Sequence, residues 1–483
     1  MRRSVLIALT TFVVAVAVYE GGLLVVAALI VLLAAAALLT KPVLAIAVAV
    51  TIPIAVEPDW PSSVHLQAFY NLIPGTKIAP VELLVFIAVI AGLLTLGGVR
   101  DAVGMLGMLR PALMLLVIGL LVGAITGISS GVGVTEIIND SRNAYEIFLV
   151  PIAVVCIVGH RVSLRTALTY VFGLTSLKCV AGVVAYVIHQ SSPSGSSHLT
   201  YYLAPTNILT MFALLYLLSA RMERVRLPRW MWLSALPLLV SLTLSERRSF
   251  WLGTMLGVVI LVVLLVGPRG RRLLLPGIAI IALTFALTLS GHIGGSWLDS
   301  NSSATAGNGS SLSGRLLSIN PTTLSANPND RYRTEERRNV LADLAKAPIT
   351  GLGLGDNYVQ HYPESYEDIS HLYVHFAALW WWMKGGIFGL IGYVVLIILL
   401  IAAGVRVFLG HPDRAVSAAG IAAAAGSAGF AFAELTATFA GPDIRSSIVL
   451  GGLIGLLAVG LRETDASAAP SRRFFTSRVV PVA

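Results

Sequence analysis

Apolar runs about as long as a bilayer crossing follow one another along the chain, most of them separated by short polar turns. A crossing helix needs ~20 mainly apolar residues. Fourteen runs approach that length, at about 4–18, 22–39, 43–56, 81–98, 111–128, 145–159, 167–188, 204–219, 230–244, 249–267, 273–290, 377–408, 416–434 and 446–461. The third, sixth and ninth are short, and 377–408 exceeds one crossing. The pattern predicts an all-α polytopic integral membrane protein with about 12–14 transmembrane helices. One polar break stands out by its length, from Gly291 to His375. It divides the chain into transmembrane helices over 1–290, a large loop over 291–375, further transmembrane helices over 376–461 and a tail over 462–483.

Composition agrees with this pattern. The 483 residues are 56% hydrophobic and only 12% charged, with a mean hydropathy of +0.84, whereas soluble domains carry about 25% charged residues. The net charge of +9 is largely a topology signal. With the N-terminus in the cytoplasm, Arg2, Arg3, Lys41, Arg100, Arg110, Arg161, Arg165 and Arg221 to Arg229 all face inward. So do Arg269 to Arg272, Arg406, Arg414 and the tail arginines Arg472, Arg473 and Arg478, as the positive-inside rule requires. Both termini are then cytoplasmic and the large loop is extracytoplasmic, and the basic balance needs no nucleic-acid partner. Arg2 and Arg3 before an apolar run imitate a signal peptide. Leu23 to Leu39 turns straight back, however, so the expectation is a retained first helix. The two cysteines, Cys156 and Cys179, fall within crossings and form neither a staple for the loop nor a metal site. No metal or nucleotide motif is present.

The large loop has two characters. Residues 291–329 are rich in Ser, Asn, Gly and Thr and read as flexible. Residues 330–347 read as an amphipathic helix, with Asp330 as N-cap and Pro348 as a stop. Tyr332, Glu336, Val340 and Leu344 make one i,i+4 row, and Arg333, Arg337 and Leu341 make the next. Two stacked guanidinium groups suit a phosphate, because each fork presents several donors to its oxygens. The competing reading is a solvated helix in which Glu335 and Glu336 pair with Arg331 and Arg338. Gly351, Gly353 and Gly355 then predict a tight turn whose backbone passes close to a lipid or sugar. His361, His371 and His375 share the loop, and spacing alone does not choose among them. His375 opens the next crossing, and histidine is suited to take a proton from a hydroxyl. Trp380, Trp381 and Trp382 follow as interfacial anchors or surfaces for sugar rings.

Three further cationic places fit no simple topology role. Arg247 and Arg248 occupy a bare outer turn, against the positive-inside bias. Arg142 is a weaker instance of the same kind. Lys178 lies in mid-crossing, where a charge is costly and turns to the bundle interior.

Taken in order, Arg248-Ser-Phe-Trp251, Arg333-x-x-Glu336, Pro348-x-x-Gly351-x-Gly353, Tyr373-Val-His375, Lys384-x-Gly386 and Gly389 resemble the O-antigen ligase and polymerase superfamily over about 245–392. The resemblance implies a glycosyltransferase of the cytoplasmic (inner) membrane. Such enzymes move a glycan from a polyprenyl diphosphate carrier to an acceptor hydroxyl at the outer face, in surface polysaccharide assembly, without cofactor, nucleotide sugar or metal. It implies that His375 acts as base or orienter and that Arg248 and Arg333 hold the diphosphate. Two departures bear on this. The histidine is usually followed by asparagine and here by Phe376, and the arginine turn is doubled, which makes Arg247 a candidate for the role of Arg248. Arg337 joins the diphosphate set as the second guanidinium of the stacked pair, and Arg142, Lys178 and Glu336 are additional candidates.

The chemistry is coherent. Guanidinium groups stabilise the charge developing on the leaving diphosphate, an imidazole deprotonates the attacking hydroxyl, and a single attack inverts the anomeric carbon. The partners expected are the carrier-linked glycan, a glycan, lipid or protein acceptor, and membrane lipids. A polymerase with the same donor is the nearest alternative. A polyprenyl-glycan or lipid transporter is the alternative from another class, and it predicts polar residues spread along several broken helices.

Overall fold

A computed structural model of the chain describes residues 34–56, 69–70, 78–190, 204–245, 247–265, 328–362, 373–435 and 441–468. Within them the protein is all-α and polytopic. Helices α1 (Ala34–Thr40) and α2 (Pro42–Ala55) meet at a sharp bend of 118°, and α3 (Pro80–Leu96) and α4 (Val99–Met105) meet at 96°. There follow α5 (Arg110–Ser129), α6 (Val134–Ser141), α7 (Glu146–Ile157), α8 (Leu164–Gln190), α9 (Ala204–Met222), α10 (Arg229–Leu233), α11 (Ala235–Leu244) and α12 (Arg248–Leu265). Within the polar break lies α13 (Pro328–Leu344), and beyond it come α14 (Ala377–Gly410), α15 (Arg414–Ala433) and α16 (Ile444–Ala468). Among the described residues five helices are long and apolar enough to cross a bilayer, or up to seven if each bent pair counts as one crossing; α7, the α10–α11 pair and α12 are apolar but shorter. The predicted crossings 4–18 and 273–290, most of 22–39, the stretch 291–327 and the tail from 469 lie outside the described residues.

α14 explains the overlong run. Its 34 residues would reach about 50 Å as one straight helix, well beyond a hydrocarbon core of about 30 Å. Gly386 interrupts it with φ 60° and ψ −158°, a conformation for which glycine carries no Cβ penalty. α14 packs against α5 on one side and α15 on the other, α15 packs against α12, and α16 packs against α7. The apolar core runs continuously through these helices.

Polar contacts gather at the two ends of the bundle. At one end are Arg165 with Asp413, Arg406 with Asp465, His411 with Glu463, and Arg462 with His160. At the other are Arg142 with Glu82, Lys384 with Asp140, Asn143 with the Pro442 carbonyl, and Glu336 with His375. All candidate chemistry described below lies at this second end.

Candidate active site

α13 begins at Pro328 rather than at Asp330, because proline fits the first helical turn, where its fixed φ is helical and its missing N–H is not required. It ends at Leu344 in tightened turns, with Lys346 N–H donating to Asp343 O (2.9 Å) and Ala347 N–H to Leu344 O (3.2 Å). Its i,i+4 row is its buried face: Tyr332, Glu336, Val340 and Leu344 are each at most 3% exposed.

Glu336 is thus a carboxylate removed from water, which costs several kcal/mol unless its oxygens are bonded. His375 supplies those bonds. Its backbone N–H donates to Oε2 at 2.9 Å, and its ring Nδ1 lies 3.1 Å from Oε1. The Tyr332 hydroxyl adds a longer bond of 3.5 Å to Oε1. Because an ionised carboxylate only accepts, Nδ1 carries the hydrogen, and in the neutral imidazole Nε2 is left as the acceptor. Tyr332 and Tyr373 stand edge-on to the ring, at centroid distances of 5.8 and 4.8 Å. The imidazole remains a quarter exposed. Glu336 therefore belongs to His375 rather than to a surface ion pair with Arg331 or Arg338. It supplies the second bond to the histidine although Phe376 occupies the usual asparagine position. Phe376 has its own use, since the Arg337 guanidinium stacks over its ring at 5.4 Å.

A strap formed by residues 357–362 is sewn onto the same helix. The Asn339 side-chain oxygen accepts from the N–H groups of His361 (2.9 Å) and Tyr362 (2.7 Å), and its amide donates to the Tyr362 carbonyl at 3.1 Å. Asp343 accepts from Val359 N–H (2.7 Å), from Lys346 Nζ (2.8 Å) and from the His361 ring (2.6 Å). Burial alone would raise the Asp343 pKa. The bonds from Lys346, Val359 and His361 outweigh burial and hold the carboxyl below its ordinary value. His361 is thereby a clamp residue, and His371 lies outside the described residues. Asn339 and Asp343 form an i,i+4 pair legible in the sequence, but nothing in the sequence names the strap as their partner.

The glycine segment takes a different role from the one expected. Its backbone lies against helix backbones rather than against a lipid or sugar. Leu352 and Gly353 donate to the Met383 carbonyl (2.8 and 3.1 Å), Leu354 donates to Gly123 O (2.9 Å), and Ile387 donates to Ile349 O (2.9 Å). The break at Gly386 frees these groups of α14, and the segment 348–356 fills the gap. At Gly353 (φ +101°) a Cβ would lie 2.6 Å from Gly127 N, so only glycine fits. The tryptophans also differ from expectation. Trp380 and Trp381 are fully buried and packed edge-to-face at 5.0 Å, so neither offers a face to a sugar. Trp382 Nε1 is bonded to the Pro348 carbonyl at 2.7 Å.

The arginine turn opens α12. Phe250 and Trp251 donate to the Arg247 carbonyl, and the Arg247 side chain is half-buried. The Arg248 side chain lies outside the described residues. α12 runs antiparallel to α15, with Gly253 against Gly429 and Gly257 against Ala425. That register carries the backbone at Arg248 level with Glu434, whose carbonyl accepts from Ala377 N–H at 3.2 Å, at the start of the helix that follows His375. Arg333 is half-buried on α13, and Arg337 is exposed. Arg142 and Lys178 take partners elsewhere. Arg142 makes a two-pronged pair with Glu82 (3.1 and 2.9 Å), which also accepts from Tyr145 at 2.7 Å. Lys178 donates to Ala55 O at 3.2 Å, at the C-terminal end of α2, where a cation is favourable. Among the described residues no three His, Cys, Asp or Glu side chains converge as a metal-ligand set.

Residues 233–394 match the family model described as O-Antigen ligase, and this stretch is similar to the O-antigen ligase superfamily. The match runs from the end of α10 into α14 and includes the arginine turn, α13, the glycine segment and His375. No curated protein matches the chain.

Proposed function

We propose that the protein is an O-antigen ligase-like glycosyltransferase, moving a glycan from a polyprenyl diphosphate carrier to an acceptor hydroxyl at the outer face of the cytoplasmic membrane. In this reading Nε2 of His375 takes the hydroxyl proton while the oxygen attacks the anomeric carbon. The bond from that carbon to the diphosphate oxygen breaks, the configuration inverts, and the carrier diphosphate leaves with the electron pair. Arg333 and Arg248 meet the charge that develops on it, with Arg247 and Arg337 flanking them. Guanidinium groups fixed before the reaction are worth most where water is excluded.

The observation that carries the reading is the Glu336–His375 contact within the matched stretch. A buried carboxylate orients the ring and leaves its second nitrogen to accept a proton, on a side chain that is a quarter exposed. The antiparallel register of α12 and α15 supports a place for the arginine turn beside this pair.

The direct test is transfer from purified carrier-linked glycan by the purified chain in a bilayer. A second measurement separates ligation from polymerisation. If the chain is a ligase, deleting its gene leaves finished chains on the carrier. Loss of long chains, with single units still reaching the surface, assigns a polymerase instead. Retention of transfer by His375→Ala removes the base role.

A further inference from the structure

Past His375, two turns and more into α14, lies a charge pair for which the reaction has no direct use. Lys384 is fully buried, with Nζ 2.7 Å from Asp140 Oδ2 and 2.7 Å from the Asp356 carbonyl. The same Asp140 oxygen accepts Gly355 N–H at 2.8 Å. One ammonium and one carboxylate thus join three elements: the end of α6, the segment 348–356 and α14. A buried pair is a poor source of stability, because desolvating each ion costs several kcal/mol and apolar replacements are often as stable. With Lys384 fully buried and Asp140 only 12% exposed, an arrangement that parts them leaves the ammonium without its counter-charge away from water.

The chain closes a ring around this point. From Lys384, α14 leads back to His375. From Asp356, the segment 348–356 leads back through Ala347 into α13 and so to Glu336. The Glu336–His375 contact closes the far side. α13 is a rigid rod, so a displacement of the segment at Ala347 passes along it to Glu336. Misplacement of a catalytic contact by ~1 Å can cost on the order of 10²-fold in rate.

We propose that Lys384 and Asp140 are positioning residues: by pinning the segment 348–356 into the break of α14 they set the register of α13 over α14 and hold Glu336 against His375. Their effect on transfer rests on the glycosyltransferase reading; their effect on the register does not.

The test uses the full chain in nanodiscs with spin labels at Leu341→Cys on α13 and Phe388→Cys on α14. Both positions are partly exposed, and the two native cysteines are buried. The paired variant Lys384→Met, Asp140→Asn removes both charges together and keeps an oxygen for Gly355 N–H. The label-to-label distance distribution is expected to broaden or shift in it. The turnover number is expected to fall about 10²-fold while the donor dissociation constant stays within a few-fold, and adding Glu336→Gln should cost little more, since both changes act on one contact. An unchanged distance distribution overturns the proposal, and so does a fully additive loss with Glu336→Gln. If the paired variant does not accumulate, Asp140→Asn alone is read by the same criteria. A wild-type chain with no transfer activity removes the enzymatic reading, and the label distances still decide the positioning claim.

Discussion

Glu336 holds His375 by two bonds at once, accepting its backbone N–H at 2.9 Å and facing its ring Nδ1 at 3.1 Å. The first bond fixes where the residue stands and the second fixes which way the imidazole turns. One buried carboxylate on α13 therefore determines both the place and the tautomer of a ring that belongs to the lead-in of α14.

His375→Ala is expected to lower transfer by roughly 10²–10⁴-fold, the usual contribution of a general base, with donor affinity retained because the proposed reading gives the diphosphate to the arginines. Glu336→Gln keeps the side-chain shape but loses the ionised acceptor, and a smaller loss in turnover is expected. His361→Ala removes an imidazole from the Asp343 clamp and none from Glu336, so most transfer should remain. Turnover and donor binding measured side by side for the three variants check this; near-wild-type transfer by His375→Ala sinks the assignment.

The arginines are tested by charge and shape separately. Arg248→Ala and Arg333→Ala are each expected to reduce transfer by on the order of 10²-fold or more, the scale of losing one fixed donor to a developing anion. Lysine at either position should rescue only in part, because it keeps the charge and loses the fork. Arg337→Ala should cost less, since that guanidinium is exposed and already stacked on Phe376. Full activity in the Arg248→Ala, Arg333→Ala double variant would take diphosphate binding away from these positions, and a dead Arg247→Ala alone would move the role one residue back.

Topology is checked by reporter fusions. The arginine asymmetry expects Ser303 outside and Arg224, Arg271 and the C-terminus inside. A cytoplasmic Ser303 would overturn the functional reading too, since transfer from the carrier is placed at the outer face.

The Asp343 clamp gives a pH dependence with a definite sign. Its carboxyl is held below its ordinary value of 3.8, so the stabilisation it gives is present above that value and is lost as pH falls through the lower, folded value. A spin label at Val359, an exposed position on the strap, should stay ordered at neutral pH and gain mobility below about pH 4. With Asp343→Asn the strap should already be mobile at neutral pH. An acid-insensitive label in the wild-type chain would show that the clamp does not hold the strap.

Periodicity and hydropathy settle the one-dimensional features of this protein, because bilayer thickness sets helix length and backbone hydrogen bonding in hydrocarbon admits little but helices. The all-α polytopic class was legible in this way, as were the overlong run 377–408 and the row Tyr332, Glu336, Val340 and Leu344. His375 and the arginines stood out as polar residues beside apolar helices. The partner choices were not legible, because each depends on elements far apart in sequence meeting at one point. Glu336 could have paired with a neighbouring arginine, and only the docking of α13 turns it to His375. The glycines promised a close approach, and only tertiary packing makes helices the thing approached, α14 at its break for Gly351, α5 for Gly353 and α6 for Gly355. Lys384 and Asp140 lie on α14 and α6, and no spacing rule links them. The tryptophans read as interfacial until the packing of α14 buried Trp380 and Trp381. Local sequence sets what each helix can present, and tertiary packing decides which faces meet, since burying a polar group is tolerable only where its partner is already in place.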